Sequence, residues 1–173
     1  MTNNGCTGTT IEFIIDNFDK LVYDTDDIII CTIGTNNRHQ FLKDGPIHTK
    51  YEHMKIFYDN IVRLYGMFKE ADKDVIFVAN IPAANENEKD NLEADVPYKR
   101  LFHMNEVNDL YMKASACCGF AFISMYNAVL EYCELKGITV DSLLADGLHP
   151  NDKGYEVMFK LILKELGIGR KIF

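Results

Sequence analysis

The chain has 173 residues, of which 47% are hydrophobic and 25% are charged, and its formal net charge is −8 at pH 7. This size and composition predict a single globular domain over residues 1–173, and the acidic balance provides no basic surface for a nucleic-acid partner. No apolar run approaches the roughly 20 residues that span a bilayer, and the polar start does not resemble a secretion signal.

The first predicted element is a helix that starts just after Gly8. Thr9 and Glu12 have the spacing of a capping box, and apolar residues then recur at helical intervals. Residues 27–33 form a short apolar run rich in β-branched side chains, which is typical of a strand buried on both faces. The same pattern predicts strands at 75–81 and 120–125.

A second capping box, at Thr49 and Glu52, begins a longer helix with one apolar face. Later helices are predicted at about 98–117, 126–136 and 151–166. Because strands alternate with helices, we expect an α/β fold with a parallel, doubly wound sheet. Polar segments 38–48 and 82–97 follow the first two strands, where ligands collect in such folds, and are candidate substrate loops.

The segment Asp146-Gly147-Leu148-His149-Pro150 combines an acid and a base on one loop ahead of the last helix. A neutral His149 can accept a hydroxyl proton, and Asp146 can hold the other ring nitrogen and stabilise the imidazolium. We therefore expect the two side chains to lie within hydrogen-bond reach. A structural histidine near a helix start is the alternative interpretation.

Two further segments supply hydrogen-bond donors. Gly34-Thr35-Asn36-Asn37 follows the first predicted strand, so the Asn36 amide can face the crevice and donate to an oxyanion. Gly8 precedes a helix N-terminus, where free backbone N–H groups favour an anion. Each segment taken alone also fits an ordinary turn.

In order and spacing, Gly8, Asn36 and the Asp146/His149 pair resemble blocks two, three and five of the SGNH (GDSL-type) hydrolases. The resemblance implies a flavodoxin-like three-layer α/β/α fold and an esterase or acyltransferase acting on a small or carbohydrate-linked ester. It also implies His149 as general base, Asp146 as its partner, and Gly8 and Asn36 as oxyanion donors. No cofactor or metal is expected.

The sequence departs from the family at two places. Asn37 stands where the family has an aspartate, and the Gly-Asp-Ser nucleophile block is absent. No serine present has the expected strand-to-helix context, so the nucleophile is unknown, and Cys6 and Thr7 are weak substitutes because nothing basic adjoins them. The serines are Ser115, Ser124 and Ser142.

These departures lead us to expect an N-terminally truncated domain that lacks its first strands. The strand at 27–33 would then have an open edge, which favours a homo-oligomer. A non-catalytic SGNH-like binding module is the alternative function, while a flavin or nucleotide binder is disfavoured because no Gly-rich phosphate loop follows a strand. The five cysteines lack metal-ligand spacing and suit a reducing cytoplasm.

Overall fold

The computed structural model describes residues 2–25, 28–84 and 98–168. Helical segments alternate with short strands along these ranges, as the sequence pattern predicts. The helices are α1 (Ile11–Asp16), α2 (Phe18–Leu21), α3 (Lys50–Glu70), α4 (Met104–Cys118), α5 (Met125–Lys136) and α6 (Asp152–Glu165), with 3-10 turns at Asn36–Arg38, Leu42–Asp44 and Val140–Leu143.

Three parallel strands form the main sheet in the order β1-β3-β5, and two others form a small antiparallel ribbon. The strands are β1 (Ile28–Cys31), β2 (His39–Phe41), β3 (Asp74–Val78), β4 (Tyr98–Arg100) and β5 (Ala121–Ile123). The ribbon pairs β2 with β4, and β2 follows β1 along the chain.

The sheet separates two apolar clusters. Phe77 of β3 packs in a cluster with residues of α1, α3 and α4, whereas Val78 packs in a second cluster with residues of α5 and α6. Because successive strand side chains point to opposite faces, the two helical groups cover opposite sides of the sheet. This arrangement confirms the predicted three-layer α/β/α class.

Two predicted helix starts are wrong. The capping box at Thr9 does not form, because the Thr9 hydroxyl donates to the Cys6 carbonyl at 3.0 Å, and α1 begins at Ile11 with Thr10 as its N-cap. The helix expected over 98–117 begins at Met104, since residues 98–100 pair with β2 instead. The capping box between Thr49 and Glu52 is confirmed.

The two candidate substrate loops remain predictions. Segment 38–48 contains β2 and the 3-10 turn Leu42–Asp44. Most of segment 82–97 lies outside the described residues.

The prediction that β1 is buried on both faces is wrong. Ile28 and Ile30 are 63% and 47% exposed, although Cys31 is buried. Within the described residues β1 pairs only with β3, so one edge of its backbone has no strand neighbour. None of the described helices is long and apolar enough to cross a membrane.

Candidate active site

The loop that carries Asp146 and His149 is closed by its own backbone. The Ala145 N–H donates to the His149 carbonyl at 2.8 Å, and Leu144 forms an isolated antiparallel bridge with Pro150. Asn151 then caps α6 by accepting from the Gly154 N–H at 2.9 Å. The bridge and the helix cap therefore hold the loop between them in one shape.

Asp146 and His149 are in direct contact, as their spacing predicts. His149 Nδ1 lies 2.7 Å from Asp146 Oδ2, while Asp146 Oδ1 accepts from the backbone N–H groups of Leu148 and His149 at 3.0 and 2.8 Å. Gly147 has φ of +82°, a conformation that favours glycine and lets the loop turn back on itself.

These hydrogen bonds keep Asp146 ionised. The backbone N–H of His149, then its ring and the N–H of Leu148, lower the pKa of Asp146 to about 2. Since the pKa is depressed, the stabilising contacts of this carboxylate are present above its ordinary pKa and are lost as the pH falls towards 2. A permanent carboxylate at Nδ1 favours the tautomer whose Nε2 accepts a proton.

Gly8 and Asn36 lie together in a separate small cavity of about 160 Å³. The Asn36 amide donates one N–H to the Thr9 carbonyl at 3.0 Å, which leaves the second N–H of that amide for another acceptor. Gly8 has φ of +73°. The cavity is lined by Cys6, Gly8, Thr9, Asn36, Asn80 and residues 32–35.

Asn37 performs a structural role that explains why it is not an aspartate. Its Oδ1 accepts from the Ile11 N–H at 3.0 Å, and its Nδ2 donates to Glu12 at 2.9 Å. The other Glu12 oxygen accepts from Asn60 at 2.9 Å. Because a carboxylate at position 37 would face Glu12, the neutral amide is the compatible partner, and it joins α1 to the turn after β1.

Residues 80–84 connect the two candidate groups. Asn80 donates to the Thr35 hydroxyl, and four residues later the Ala84 N–H donates to the Gly147 carbonyl at 2.9 Å. Both groups therefore lie at the edge where β1 and β3 end, although neither Asp146 nor His149 lines the cavity around Asn36. Sequence analysis missed Asn80 because it placed this residue inside the predicted strand 75–81, whereas β3 ends at Val78.

The three serine hydroxyls donate hydrogen bonds within the fold. Ser115 donates to the Phe120 carbonyl, Ser124 to Asn108 and Ser142 to the Thr139 carbonyl, each at 2.7 Å. Ser124 also caps α5. The exposed Cys6 lines the cavity beside Asn36. Among the described residues, no group of three or more His, Cys, Asp or Glu side chains is placed to hold a metal ion.

Comparison with protein-family models and with curated proteins gives no match. Solved structures do match: an arginine-to-alanine mutant of Axe2, an acetyl-xylooligosaccharide esterase from Geobacillus, has a TM-score of 0.69 at 18% identity. Unmutated Axe2, an acetylxylan esterase from Geobacillus stearothermophilus, gives 0.65 at 18%, and each match covers 93% of this chain and 69% of the esterase.

A third structure is LAE5, described as an alpha/beta hydrolase enzyme from the metagenome of Lake Arreo, Spain. Its TM-score is 0.66 at 20% identity, with 92% of this chain and 69% of that chain covered. The chain shares the fold of these enzymes. At such identities the likeness establishes architecture, and function has to be argued from the site.

Proposed function

We propose that this domain provides the acid–base pair and the oxyanion donors of an SGNH-type esterase acting on a small or carbohydrate-linked ester. The observation that carries the proposal is the 2.7 Å contact between His149 Nδ1 and an Asp146 carboxylate that two backbone N–H groups fix in place. Because His149 is exposed, its Nε2 remains accessible to an incoming hydroxyl.

The structural neighbours support this assignment. Catalytic mutants of Axe2 replace a serine, an aspartate or a histidine, and that aspartate and histidine are three positions apart, as Asp146 and His149 are here. Because the hydroxyls of Ser115, Ser124 and Ser142 are engaged within the fold, we infer that another serine supplies the nucleophile.

The proposed reaction follows from the positions of the donors and the base. His149 Nε2 takes the proton of the attacking hydroxyl, whose oxygen bonds to the ester carbon, and Asp146 stabilises the resulting imidazolium. The remaining N–H of Asn36 and the backbone N–H of Gly8 receive the negative charge on the carbonyl oxygen. His149 then protonates the departing alcohol, and water or a second alcohol releases the acyl group.

The open edge of β1 is where a serine-bearing strand fits. A strand added parallel to β1 ends at the same side of the sheet as the turn that contains Asn36, so its last residue faces the crevice. The exposed Ile28 and Ile30 would gain cover from the helix that follows such a strand.

All five cysteines are free thiols, which suits a reducing compartment such as the cytoplasm.

The test of this function uses a fluorophosphonate and intact-mass measurement. The purified 173-residue chain is expected to give no adduct, because its serine hydroxyls serve the fold. An in-frame Gly-Asp-Ser segment encoded within about forty codons upstream, once included, is expected to add one adduct at that serine and to restore hydrolysis of an aryl acetate. An adduct on the short chain at Ser115, Ser124, Ser142, Cys6 or Thr7 would contradict the proposal.

A non-catalytic binding module is the second candidate, and the hydrogen-bonded state of every serine favours it. The same experiment separates the two functions. The module is indicated when the upstream DNA encodes no serine-bearing strand and the chain still binds an ester without cleaving it.

We also propose that the chain alone self-associates through β1. Sedimentation across a dilution series is expected to show a dimer or larger species, since an apolar, unpaired strand edge pairs readily with another chain. Ile30→Lys is expected to shift the protein to monomer because a charge on β1 opposes pairing. Leu135→Lys is the matched control, being an 83% exposed apolar residue on α5. A wild-type monomer at all concentrations would refute self-association.

A further inference from the structure

A larger cavity of about 450 Å³ lies between the end of β3 and the start of α5. Its volume is within the range of small-molecule sites in proteins. None of the residues proposed for catalysis lines it. The lining comprises Pro82, Ala83, Ala84, His103, Asn105, Tyr126, Leu130 and residues 139–141.

This cavity adjoins the loop of Asp146 and His149 through a backbone hydrogen bond. Ala84 forms part of its wall, and the Ala84 N–H donates to the carbonyl of Gly147, the residue directly after Asp146. A ligand held here would therefore lie against the chain that fixes the Asp146 loop. The cavity is a candidate for the part of the substrate that does not react.

The lining chemistry suits a neutral, hydroxyl-rich ligand. Asn105, Thr139 and Asp141 offer amide, hydroxyl and carboxylate groups, while Tyr126 offers an aromatic ring. Neither lysine nor arginine occurs among the described lining residues, and the chain carries a net charge of −8, so an anionic ligand is disfavoured. Pro82, Leu130 and Val140 add apolar surface of the kind that the C–H face of a sugar ring can cover.

We propose that this cavity binds a neutral sugar ring of one or two units, which serves as the alcohol part of the ester. The proposal rests on the proposed esterase function for its catalytic meaning, but the binding itself requires no turnover. Tyr126 stacks on the apolar face of the ring, Asn105 donates to or accepts from its hydroxyls, and Asp141 accepts from them. The site thereby selects esters of sugars over esters of simple alcohols.

The test measures binding of xylobiose and cellobiose to the 173-residue chain by saturation-transfer NMR and calorimetry. Tyr126→Ala is expected to weaken binding about tenfold or more, whereas Tyr126→Phe retains it because the ring remains. Asn105→Ala is expected to weaken binding severalfold. Tyr155→Ala is the matched control, since this exposed tyrosine on α6 lies outside the cavity lining.

Three results would overturn the inference: disaccharide binding that Tyr126→Ala and Asn105→Ala leave unchanged, tighter binding of octanoate than of xylobiose, or tighter binding of an amine such as spermidine. Sugar binding is expected to persist in His149→Ala. If the esterase proposal is refuted but the sugar still binds, the sugar site is retained. Turnover of an aryl acetate without any sugar binding would remove only the sugar site.

Discussion

Replacing His149 by alanine is expected to lower kcat for an aryl acetate by about 10⁴-fold or more in the assembly that contains the nucleophile. In the proposed reaction the imidazole takes the hydroxyl proton, and the loop around it is held by backbone hydrogen bonds that do not involve the ring. The loss should therefore appear with little change in the free energy of unfolding. Asp146→Asn is expected to cost about as much, because an amide no longer selects the reactive tautomer.

The control for this prediction is His48→Ala, which removes an exposed histidine from another part of the fold. Its backbone N–H still donates to Gln40, so local structure is preserved. The variant should retain wild-type kcat. Near wild-type turnover in His149→Ala, measured in the same preparation, would reject the role of the acid–base pair.

Gly154→Ala is expected to destabilise the fold by about 1–3 kcal/mol, as overpacked sites do. A Cβ at this position would lie 2.2 Å from the Leu143 carbonyl oxygen, which is backbone and cannot rotate away. The same carbonyl accepts from the Asn151 N–H at 3.0 Å, so its displacement also disturbs the cap next to the loop of Asp146 and His149. Urea unfolding should report the loss, and kcat should fall with it.

Gly66→Ala is the matched control because it makes the same change within α3, near its C-terminal end. A Cβ there meets no atom within 4 Å, so the higher helix propensity of alanine is expected to raise stability by about 0.5–1 kcal/mol. The two substitutions should therefore have opposite signs. Equal effects would mean that the contact with Leu143 relaxes without cost.

The order of strands and helices could be predicted because it depends on local pattern. Apolar runs and the capping box at Thr49 identify elements whose own residues determine them. The start of α4 could not, since residues 98–100 become a strand only by pairing with β2, which is far away in the sequence. The exposure of Ile28 and Ile30 could not be predicted either, because the sequence shows that these residues are apolar but not what covers them.

The candidate site could likewise be predicted only in part from the sequence. Asp146 and His149 are three residues apart, so their contact depends on one loop and could be anticipated from it. Asn80 donates a hydrogen bond to Thr35, and Asn37 donates one to Glu12, which therefore does not serve as a helix cap. Both contacts join segments that are distant in the sequence. Such contacts depend on how the chain packs and leave no local signature.

The contact between Glu12 and Asn37 has a consequence for how this site can vary. The two positions share one negative charge, carried by Glu12, and the amide is held between that carboxylate and the Ile11 N–H. A homologue with aspartate at position 37 is therefore expected to carry a neutral residue at position 12. The two positions are therefore expected to covary, so that one of them carries the acidic residue and the other a neutral one.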